Sequence, residues 1–80
     1  MNKLAIILDT VSEVIKYLKK HYNVTLTSEE NYNFKQALYE IRVSCGENEK
    51  LSLSMQDGTE LNFSITYIKK LRQWKLDVEQ

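Results

Sequence analysis

The stretch "KLSLSMQDGTELNFSI" at 50–65 constrains this chain more than any other. Leu51, Leu53 and Met55 alternate with polar residues before it reaches Gln56-Asp57-Gly58, and Leu61, Phe63 and Ile65 alternate after it. Two rows of period two around a glycine-containing turn predict an antiparallel hairpin. A two-residue Asp57-Gly58 loop sets Leu53 opposite Asn62, which turns the apolar rows to opposite faces. A three-residue loop, Gln56-Asp57-Gly58, sets Leu53 opposite Leu61 and Leu51 opposite Phe63. That register needs a left-handed residue at the third loop position, and Gly58 stands there. A hairpin alone is barely stable in water, so this one must lie against helices.

Two segments supply them. Thr27-Ser28-Glu29-Glu30 is a capping box, in which the threonine hydroxyl and the glutamate carboxylate satisfy each other's backbone amides. The helix it opens places Phe34, Ala37, Leu38, Ile41 and Cys45 on one face, and Gly46 follows as a stop. "YEIRVSC" at 39–45 also alternates like a strand, so a helix ending near Leu38 is the competing reading. At the N-terminus Leu4, Leu8, Val11, Ile15, Leu18 and Tyr22 recur at steps of four and three, which predicts one long helix closed by Asn23. The rival is a strand over "KLAIIL" and a shorter helix opened by "TVSE" at 10–13. "NVTLT" at 23–27 is a short strand candidate.

The last segment, "ITYIKKLRQWKLDV" at 65–78, reads as a C-terminal helix capped by Ser64. Ile65, Ile68 and Leu76 lie along one side, and Tyr67, Leu71, Trp74 and Val78 along another. That is more apolar surface than one helix stripe needs, so the helix is either deeply buried or awaits a partner. The expected architecture is therefore α+β. It has a long N-terminal helix, a second helix, a small antiparallel sheet with the Gln56-Asp57-Gly58 hairpin, and a C-terminal helix, all in one compact domain over 1–80.

Composition narrows the function. With 42% hydrophobic residues, two glycines and no proline, the 80-residue chain has material for a core and little for irregular loops. Cys45 is the one cysteine, so it has no internal disulfide partner, and a reducing, cytoplasmic setting is expected. The longest apolar run, "LAIIL" at 4–8, falls far short of the roughly 20 residues that cross a bilayer. No signal-peptide pattern follows it.

The chemistry of catalysis is thinly represented. One histidine and one cysteine do not make a structural zinc site, which takes about four such ligands. Cys45 reads as a small buried hydrophobe and His21 as a solvated imidazole at a helix end. Glycines at 46 and 58 alone do not build a phosphate loop. The expectation is a non-enzyme without cofactor or metal.

Binding remains. Eleven cations balance eleven carboxylates, but their distribution is uneven. Lys69, Lys70, Arg72 and Lys75 outnumber Asp77 and Glu79 at the C-terminal end. Glu29, Glu30, Glu40, Glu47, Glu49, Asp57 and Glu60 dominate the middle. A basic helix with an aromatic residue suits nucleic acid, but a net charge of zero and a pI near 6.6 argue against a dedicated nucleic-acid binder. Five tyrosines and one tryptophan favour a protein interface, where Tyr, Trp and Arg dominate the energetics.

The expected site comprises Tyr39, Tyr67, Lys69, Lys70, Arg72, Trp74 and Lys75. The expected action is steric occupation of a protein partner, itself a nucleic-acid-binding machine if the acidic middle is used. Size and class suggest an inhibitor or accessory factor of a phage or mobile element. Trp74 has a core reading beside the interface one, and the N-terminal stripe also permits a homodimer. The competing function is a small DNA- or RNA-binding regulator using the basic C-terminal segment.

Overall fold

A computed structural model describes residues 5–79. Strand β1 (Ala5–Leu8) leads into helix α1 (Val11–Tyr22) and helix α2 (Ser28–Ser44). Three strands follow: β2 (Glu49–Ser54), β3 (Glu60–Ile68) and β4 (Gln73–Val78). The strands form one antiparallel sheet in the order β1-β4-β3-β2. Both helices pack on one face of it, giving an α+β fold of two layers. The described molecule measures 36 × 34 × 18 Å, and 18 Å leaves no room for a third layer.

The hairpin has the three-residue register. Leu51 pairs with Phe63 and Leu53 with Leu61. Gly58 has φ +89°, and its N–H donates to Met55 O at 3.0 Å. The capping box at Thr27 is complete: Glu30 N–H donates to Thr27 Oγ1 at 3.1 Å, and Thr27 N–H donates to Glu30 Oε1 at 2.9 Å. From there α2 continues to Ser44, so the alternation at 39–45 does not become a strand. Its inner face is Phe34, Leu38 and Ile41. Phe34 meets Phe63 edge-on at 6.0 Å between ring centroids, which seats α2 on β3.

The end of α2 differs from expectation. The left-handed residue is Cys45, with φ 53°, and not the glycine. Gly46 follows it and donates its N–H to Ile41 O at 2.9 Å, closing the helix as a Schellman turn. Glycine eases a tight fit here. A Cβ at this position would lie 2.9 Å from Glu49 Cγ and 3.1 Å from Ile41 Cγ2. Cys45 itself is exposed, which corrects its assignment to the core.

Two further expectations are overturned. The long N-terminal helix is a strand followed by a helix. Thr10 is extended and accepts the Glu13 N–H at 3.1 Å, so the helix begins at Val11. The heptad-like stripe ran unbroken because strand and helix face the same core. Leu8 reaches it from β1, in register with Trp74, while Val11, Ile15 and Leu18 reach it from α1. Leu4, the first residue of that stripe, lies outside the described residues. Asn23, with φ 53°, does end the helix. Beyond it "NVTLT" contributes one antiparallel bridge, Val24 to Met55.

The C-terminal helix is absent: residues 65–78 are the end of β3, a turn, and β4. Ser64 is a mid-strand residue opposite Asp77 and caps nothing. The physical reason lies in the period. Phe63, Ile65 and Tyr67 step by two, as do Trp74, Leu76 and Val78, and the two rows pair directly across the sheet. Read as a helix, they produced the surplus apolar side; read as strands, they make one face. Ile65 and Leu76 have no exposed surface, and Trp74 keeps 1%. With Val14, Leu18, Leu38 and Phe63 they form one hydrophobic cluster.

Candidate interaction surface

Residues 69–72, Lys-Lys-Leu-Arg, join β3 to β4. Leu71 N–H donates to Ile68 O at 3.2 Å and Arg72 N–H to Lys69 O at 3.3 Å. Arg72 closes this turn in the left-handed region, with φ 53°. Glycine or asparagine suits such a position better than arginine does.

Beside this turn lies a groove of about 550 Å³. Three parts of the chain line it. Asp9 and Thr10 come from the β1–α1 connection, Val11 and Ser12 from the start of α1, Tyr39 and Arg42 from the later turns of α2, and Tyr67, Arg72 and Trp74 from the β3–β4 hairpin. Trp74 is buried and forms part of the floor, with Tyr67 edge-on against it at 4.9 Å between centroids. The Arg42 guanidinium sits 5.7 Å from the centre of the Tyr39 ring, within cation–π reach. Asp9 is engaged: its Oδ1 accepts Gln73 Nε2–H at 2.7 Å. Neither Arg42 nor Arg72 has a carboxylate partner among the described residues, whose one ion pair is Lys75–Asp77 at 4.0 Å.

Tyr39 belongs to a second feature. Tyr32, Tyr39 and Val43 recur at steps of seven and four along α2, on the side away from Phe34, Leu38 and Ile41. They are 62%, 42% and 84% exposed, unusual values for three large apolar side chains on one helix. Charge also changes along α2. Glu30, in its first turn, and Glu60 line a shallower groove with Phe34 and Leu51; Arg42 stands at the other end. The helix thus begins with two glutamates and carries its one arginine in its last turn, with Glu40 two residues before it.

The structure divides the seven expected site residues. Tyr39, Tyr67, Arg72 and Trp74 share the groove. Trp74 is core as well as floor, so it supports the surface and does not present itself to a partner. Lys69 and Lys70 are exposed on the adjoining turn. Lys75 is separated from them. It pairs with Ile7 and Thr66 on the sheet face that carries no helices, beside Asp77. A single basic helical face of Lys69, Lys70, Arg72 and Lys75 therefore does not exist, because a strand sends alternate residues to opposite faces. Arg42, Val43 and Tyr32 were missed in the sequence. The signal was present: they line up with Tyr39 once α2 is accepted as a helix to Ser44.

Comparison with protein-family models, with curated proteins and with solved structures found no match to this chain. Among the described residues no helix is long and apolar enough to cross a membrane.

Proposed function

We propose that this chain is a small non-catalytic interaction module that acts by covering part of a partner protein's surface. The observation that carries the reading is the continuity, through Tyr39, of an exposed apolar helix stripe and a groove lined by two arginines that form no ion pair among the described residues. Tyrosine and arginine are the residue types that anchor interfaces. Exposed apolar side chains in register on one rigid helix have a desolvation free energy to release on contact. Inhibition by such a body is steric and needs no reactive group. The reading extends to a cytoplasmic protein with a reduced Cys45. On size and class alone, it extends to an inhibitor or accessory factor of a phage or mobile element.

A second reading has one observation in its favour: Lys69, Lys70 and Arg72 stand together on the β3–β4 turn, next to Tyr67. That cluster suits a polyanion, and the protein is then a small nucleic-acid-binding regulator. One comparison separates the two. The chain is tested against duplex and single-stranded oligonucleotides over a salt series, beside a variant with Lys69, Lys70, Arg72 and Lys75 changed to glutamine. In parallel, wild type and the Tyr39→Ala and Val43→Ser variants are used to capture partners from the native host. An interaction module shows no oligonucleotide affinity and recovers a protein that the Tyr39 and Val43 variants lose. Salt-steep oligonucleotide binding that the glutamine variant loses contradicts the proposal.

A further inference from the structure

We infer that the groove receives a carboxylate-bearing side chain of a partner protein, held by Arg42 and Arg72, while the Tyr32–Tyr39–Val43 stripe covers an apolar residue beside it. The inference rests on the interaction-module reading and names the chemistry of the partner segment: a short acidic stretch with a neighbouring aliphatic or aromatic residue.

Three observations lead there. Two arginines from distant parts of the chain line one groove, and neither forms an ion pair among the described residues. The planar guanidinium fork matches a carboxylate in geometry as well as charge. Second, Arg72 occupies a left-handed turn position that glycine or asparagine fills with less strain. An arginine held there at a conformational cost, with its side chain on a groove, is where a use for that side chain is expected. Third, the Val11 and Ser12 amides at the start of α1 belong to residues of the same groove. They add the positive end of a twelve-residue helix to the two arginines.

Asp9 sets the limit. It lines the groove too, with its carboxylate bonded to Gln73, so the titratable lining has two positive charges against one negative and suits one anionic group, not a chain of phosphates. Glu29 and Glu30, at the opposite end of α2, would also repel a long polyanion. The apolar stripe next to Tyr39 calls for an apolar companion. These features favour an acidic peptide segment over nucleic acid.

The test uses the full chain and a displayed library of short random peptides, with the recovered peptides synthesised and titrated. The expected enrichment is for Asp or Glu adjacent to a large apolar residue. Arg72→Gly separates binding from folding, because glycine suits the turn: thermal stability should hold or rise while peptide affinity drops about tenfold, the loss expected for one charge-assisted contact. Arg42→Gln should weaken binding similarly, and neutralising the peptide's acidic residue should cost less in either variant than in wild type, and little once both arginines are replaced. The inference is overturned if no peptide is enriched, if enriched peptides lack an acidic preference, or if their affinity ignores both arginine variants. In the last two cases, loss of binding in Tyr39→Ala leaves the interaction module standing and removes only the carboxylate. Oligonucleotide binding that both arginine variants abolish would overturn the two readings together.

Discussion

Tyr67 and Trp74 face each other across β3 and β4, ring against ring at 4.9 Å and inclined by 61°. The tryptophan closes the core under the groove, while the tyrosine remains half-buried at its wall. Trp74→Ala should therefore act on folding. A buried tryptophan cut to alanine loses about 3–5 kcal/mol, a large part of the ~5–15 kcal/mol that holds a typical small domain. Urea denaturation should show most of the stability gone. A loss under about 1 kcal/mol would mean that Trp74 is a surface residue.

The outer face of α2 should behave in the opposite way. Val43 is 84% exposed and Tyr39 42%, so Val43→Ser and Tyr39→Ala should each change stability by only about 0.5 kcal/mol. Both should still weaken capture of the partner. Thermal melts beside binding titrations check the pair of outcomes, and a large drop in melting temperature would place these residues in the fold's support.

Left-handed positions give a signed prediction. Gly58, at φ +89°, has open space where a Cβ would go. Gly58→Ala should thus cost about 1–2 kcal/mol through the backbone alone. Cys45 is the reverse case: it occupies φ 53° with an exposed side chain. Cys45→Gly should leave stability unchanged or raise it by up to about 1 kcal/mol. Chemical denaturation of the two variants should move the midpoint in these opposed directions.

Acid sensitivity should involve the hairpin tip. The Thr59 hydroxyl donates to Asp57 Oδ1 at 2.6 Å and the Thr59 N–H donates to the same oxygen at 3.0 Å. These bonds, the hydroxyl first, hold the Asp57 carboxyl below its usual 3.8. A carboxyl lowered by folding stabilises the native state fully above its unfolded value. That contribution disappears as pH falls through the lowered native value. Thr59→Val removes the hydroxyl donor and should move the Asp57 titration, followed by NMR, back toward the ordinary carboxylate. An unmoved titration would show that the hydroxyl does not set it.

Legibility in the sequence followed the range of the determining interaction. The β2–β3 hairpin and the start of α2 rest on contacts three residues apart, between Thr27 and Glu30 or around Gly58, and their residue types announce them. The β3–β4 hairpin has no such mark. Its turn, Lys-Lys-Leu-Arg, lacks glycine, proline and asparagine, and an arginine takes the left-handed position. The boundary between β1 and α1 was legible only as the rival reading, a strand over "KLAIIL" and a helix opened by "TVSE". The Thr10–Glu13 cap is local, while Ile6 and Leu8 are held by Leu76 and Trp74 at the far end of the chain. Of the surface, Tyr39 was legible as a residue off the apolar face of its helix. Arg42, three residues on, could have been read beside it on the same helix; that both share a groove with Arg72 needed the fold.

Hydrogen–deuterium exchange on the chain bound to its captured partner tests the central claim most directly. Binding should protect the outer turns of α2 from Tyr32 to Val43, the start of α1 and the Lys69–Arg72 turn. The helix-free sheet face around Ser52, Ser64 and Lys75 should exchange as in the free protein. Protection confined to that sheet face, with α2 and the turn unchanged, would contradict the account.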